Sequence, residues 1–144
     1  VKGVAEMARV VAPGGAVAAY AWDMEGGGFP AEPVLAELRA LGFPPPRPPS
    51  VDASRLEAMQ KLWTGAGLRE VETRQIEVQR SFADFEDFWS VILKGPSIGA
   101  AVSAMSPSDL ATLKAGVRAR LSADAAGRIT SSARANAIKG RVPG

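Results

Sequence analysis

The chemistry open to this chain is bounded first by what it lacks. Its 144 residues include no Cys and no His. Disulfides, thiolate nucleophiles, Cys/His zinc sites and His-based triads are therefore beyond it, and proton transfer falls to Asp, Glu, Tyr or Lys. One tract sets such groups beside a glycine run: Tyr20-Ala-Trp22-Asp23-Met-Glu25, then Gly26 to Gly28. Carboxyl ends of strands are where open α/β sheets bind ligands, which makes Asp23 a candidate. The glycines are no phosphate cradle, because no Lys-Ser/Thr follows and the spacing is not GxGxxG. They read as a flexible loop leaving a strand. Phe85, Phe88 and Trp89 lie in the densest aromatic cluster and share one helical face with Ile92. Core or interface is the ordinary use of such a face.

These groups must be positioned by the elements around them. Val4, Met7, Ala8 and Val11 recur at helical spacing, so the chain opens on an amphipathic helix rather than a leader. Pro13 disfavours a helical Ala12, and Gly14 with Gly15 permit a tight reversal. Ala16 to Trp22 is short, apolar and uncharged, which predicts a strand covered on both faces. Helix, turn and buried strand form half of an α/β unit.

Downstream, Val34, Leu35, Leu38 and Leu41 predict a helix over about 31–41. Phe43 to Pro49 is proline-rich and extended; it contains a PxxP-like pattern and reads as a stiff connector inside a 23–53 insertion. Ser54 to Glu57 has capping-box spacing before a helix bearing Met59, Leu62 and Trp63, and Gly67 is placed to end it. Leu68 to Phe82 predicts a charged strand near a sheet edge. Its apolar residues change parity between Val71 and Ile76, which predicts a bulge near Thr73 to Gln75. Ser81 is set to cap the aromatic helix, and a further helix starts near Ser97. Ser106-Pro-Ser-Asp109 is a strong helix start. The alternation from Ile129 to Ala137 predicts a last strand near 128–138.

Three phrases carry a family resemblance. Glu6, Arg9, Val10, Val11, Pro13, Gly14 and Gly15 before a small apolar strand resemble the core of class I S-adenosylmethionine-dependent methyltransferases, of the type 11-like kind. Ala66-Gly67-Leu68-x-x-Val71-Glu72 and Ala133 to Pro143 resemble later parts of the same fold, in order. The resemblance implies the C-terminal part of a Rossmann-like fold: a few-stranded mixed sheet with about five helices, forming over 1–144 a single partial domain. It implies that the last strand pairs antiparallel with 68–82. Tyr20, Trp22 and Asp23 become acceptor-side candidates at a strand end, with Phe85, Phe88 and Trp89 as walls of the pocket. The implied reaction moves a sulfonium methyl onto a small-molecule acceptor, with the protein supplying orientation and desolvation. The glycine-rich loop and acidic residue that bind S-adenosylmethionine in that family have no counterpart in residues 1–144. The chain is therefore expected to be a fragment that does not bind the cofactor tightly and is inactive alone.

Composition narrows the partners. Lys and Arg number 17 against 15 Asp and Glu, and the basic residues are scattered apart from the C-terminal Arg134, Lys139 and Arg141. A nucleic-acid footprint needs a dense basic stripe with aromatics between. No apolar run of the length that spans a bilayer occurs. The expected partners are the cofactor half or a second copy joined at a sheet edge, and the expected setting is cytoplasmic, in keeping with the absence of Cys. The rival class is a non-enzymatic α/β interaction module.

Overall fold

A computed structural model describes residues 2–44 and 46–144. Val1 and Pro45, the latter inside the proline-rich connector, lie outside the described residues, as do the side chains of Pro96 and Ser97 at the expected helix start. The elements in order are α1 (Lys2–Val10), β1 (Ala16–Trp22), α2 (Glu32–Ala40), a short 3-10 turn (Val51–Ser54), α3 (Leu56–Gly65), β2 (Arg69–Phe82), α4 (Phe85–Ile92), α5 (Pro96–Ser103), α6 (Pro107–Arg120) and β3 (Ile129–Arg141). The architecture is mixed α/β, with six α-helices and three strands among the described residues.

The reversal after α1 forms where proline and glycine demand it. Gly14 adopts φ +75°, and the Gly15 N–H donates to Ala12 O at 2.9 Å. Gly14 N–H then donates to Val142 O at 3.0 Å, and Val142 N–H to Gly15 O at 2.9 Å, which fastens the turn to the far end of β3.

The strand order is β1-β3-β2. β3 lies antiparallel to β1, with pairs from Ala16↔Arg141 to Trp22↔Ala135. Contacts between β2 and β3 keep an antiparallel register: Glu70 with Arg141 at 3.2 Å, Glu72 with Lys139 at 3.1 Å, and Gln75 with Asn136 at 3.2 Å. β1 and β2 thus point the same way without touching. The expected mixed sheet is corrected: every neighbouring pair is antiparallel, because the last strand inserts between the two that a helical crossover connects.

The chain divides into two compact units, Val1–Phe29 with Pro49–Glu77 and Ala133–Gly144, and Pro30–Pro48 with Val78–Ser132. In the first, Val17, Met59, Trp63, Leu68 and Ile138 form a buried cluster, and α1 lays Val4, Met7 and Ala8 against it. In the second, α2 packs on α6. Val34, Leu38, Phe88, Leu113 and Val117 are completely buried there, and Arg120 on α6 donates to Glu37 on α2 at 2.8 Å.

Four local expectations are corrected. β1 is covered on one face only: Val17 is buried, but Ala16, Ala18 and Tyr20 are exposed. No bulge interrupts Thr73 to Gln75, since the pairings Glu72–Lys139 and Gln75–Asn136 bracket it with equal spacing on both strands. The parity change arises because Val71 packs on the core whereas Ile76 and Val78 are exposed; the irregular backbone lies earlier, at Glu70, with φ +50°. Ser54 does not cap α3. It ends the 3-10 turn and donates to Val51 O at 2.7 Å, while Arg55 takes the cap position. Ser81 stays in β2 beside Thr130, and α4 is capped by Asp84, which accepts from Asp87 N–H at 2.9 Å. The start at Ser106 forms as its sequence predicts, with the hydroxyl accepting from Asp109 N–H at 3.1 Å. No helix among the described residues is long and apolar enough to cross a membrane.

Candidate functional site

The carboxyl end of β1 is built around Asp23, which is buried. Its backbone N–H donates to Arg134 O at 2.9 Å, and its carbonyl accepts from Gly28 N–H at 2.8 Å. Its carboxylate accepts from Gly26 N–H at 3.1 Å through Oδ1, and from Arg134 Nε at 2.9 Å through Oδ2. Arg134 Nη2 reaches the same Oδ2 at 2.8 Å and also donates to Gly26 O at 2.8 Å. The circuit closes with Arg134 N–H donating to Gly28 O at 2.8 Å. Such charge-assisted bonds, three of them on one carboxylate, fix a loop firmly.

This makes the glycine run a fitted part rather than the flexible loop its composition suggests. Gly27 holds φ +73°, which a side chain would resist. A Cβ on Gly28 would meet Arg134 O at 2.6 Å, and one on Gly26 would run into the Asp23 carboxylate. The Gly26 and Gly28 amides are already donated to Asp23. These two amides are therefore not free to hold an anionic ligand.

Trp22 and Tyr20 precede Asp23 by one and three residues along β1. Tyr20 is 73% exposed and Trp22 half-buried. Tyr20 borders an open depression of about 570 Å³ on the uncovered face of the sheet, lined also by Ala18, Glu72, Arg74, Ile76, Ala137 and Lys139. Small residues at Ala18 and Ala137 make the floor. Lys139 is paired with Glu72, whereas Arg74 has no ion pair among the described residues. The face thus offers one phenol, one guanidinium without an ion pair among the described residues and an apolar floor.

Phe85, Phe88 and Trp89 belong to the second unit and are buried there. Phe88 meets Phe82 edge-on with centroids 5.2 Å apart, and Phe85 stacks on Trp89 at 6.0 Å. Arg118 Cζ lies 4.1 Å from the Phe85 centroid, and Glu86 holds Lys114 at 2.8 Å and Arg118 at 3.2 Å. Within their unit these rings serve as core. Sequence reasoning missed Arg134, whose only mark was membership of a basic C-terminal stretch, and Arg74, which the even-numbered parity of β2 would have placed on the same face as Ile76.

Among the described residues no three of Asp, Glu, His and Cys gather as a metal site. No family model matches this chain, and comparison with curated proteins yields no match.

Proposed function

We propose that residues 1–144 form the acceptor-side part of a class I S-adenosylmethionine-dependent methyltransferase acting on a small molecule, with the cofactor bound by other residues. The observation that carries this reading is the sheet. A helix and the Pro13-Gly14-Gly15 turn lead into β1, a helical crossover leads to β2, and β3 returns between them antiparallel to both. That arrangement supplies the antiparallel C-terminal pair the resemblance calls for. In this reading Tyr20 and Trp22 face the acceptor, and Asp23 shapes the loop beside it through Arg134 rather than taking a proton.

The test is acceptor methylation by the natural polypeptide that contains these residues, next to the same assay on residues 1–144 alone. Turnover by the first and none by the second is the expected result, with Trp22→Ala raising KM for the acceptor more than it lowers kcat. Methyl transfer by the 144-residue chain itself would overturn the reading.

A second reading, a non-catalytic interaction module, is favoured by one observation: the outer side of β1 pairs with nothing among the described residues. It expects no methyl transfer by any polypeptide carrying the chain.

A further inference from the structure

We draw no further inference here: the strongest candidate, the open depression on the Tyr20 face of the β1-β3-β2 sheet, bordered by Arg74, Ile76 and Lys139, carries nothing, because it lies on an unpartnered sheet face and nothing in the structure shows what covers it.

Discussion

Asp23 and Arg134 stand 111 residues apart in the chain and are joined by three direct bonds. The Asp23 N–H donates to the Arg134 carbonyl, the guanidinium grips the carboxylate at 2.8 and 2.9 Å, and both residues bind the intervening Gly26–Gly28 backbone. The pair therefore locks the loop at the end of β1 onto the central strand. The Asp23 side chain is 10% exposed and that of Arg134 32%, so the ion pair is only partly screened.

Asp23→Ala removes the acceptor for three N–H donors and leaves Arg134 half-buried without a counter-charge. Stranding a buried hydrogen-bonding partner costs about 1–3 kcal/mol, and that loss is expected in urea denaturation. Arg134→Met added to Asp23→Ala should recover part of it, because the stranded charge is gone. Unchanged stability in Asp23→Ala would show that the loop is held by its backbone bonds alone.

Asn136 occupies the middle of β3 at 2% exposure. Its Nδ2 donates to Ser54 O at 2.9 Å, and its Oδ1 accepts from Gln75 Nε2 at 3.2 Å. One side chain thus ties the 3-10 turn to β3 and β2. Asn136→Leu fills the space but leaves the Ser54 carbonyl without a donor, so it is expected to destabilise by about 1–3 kcal/mol. A stability gain in thermal denaturation would mean that the site is governed by apolar burial instead.

Asp124 gathers the turn before β3. It accepts from Arg128 N–H and Ala126 N–H, both at 2.9 Å, and from Arg128 Nε at 2.9 Å. These bonds, those from Arg128 first, hold its pKa below the ordinary 3.8. A carboxyl with a depressed folded-state pKa contributes fully above its ordinary value and loses that contribution as pH falls through the folded value. Lowering the pH from about 5 to about 2 spans the carboxylate range. Over it, the Gly127 and Arg128 amide resonances are expected to shift in one step whose midpoint lies below 3.8. Asp124→Asn should remove the step; a midpoint at or above the ordinary value would show that the turn bonds do not favour the carboxylate.

Much of the frame was legible in residue patterns. Proline and glycine at 13 to 15 fixed the first reversal, the Ser106 signal fixed the start of α6, and the alternation after Ile129 marked β3. Local signals failed where tertiary partners compete for the same side chain. Ser54 and Ser81 both look like helix caps, yet one bonds back to Val51 and the other faces Thr130 across the strands. The parity change in β2 implied a bulge only on the premise that apolar residues point inward, and Ile76 with Val78 do not. The Asp23–Arg134 lock could not be read at all. Its partners are brought together by strand pairing, and nothing near Asp23 announces an arginine from the far end of the chain. Phe85, Phe88 and Trp89 were legible as a cluster, and their burial in the second unit gives them a packing role that the resemblance did not specify.

The central claim is that these residues complete a methyltransferase without holding its cofactor. Equilibrium binding of S-adenosylmethionine tests it most directly, measured by calorimetry on residues 1–144 and on the natural polypeptide that contains them. The account predicts saturable binding by that polypeptide and none by the 144-residue chain at micromolar ligand. Saturable binding by the chain alone, or none by the polypeptide that carries it, would contradict the account.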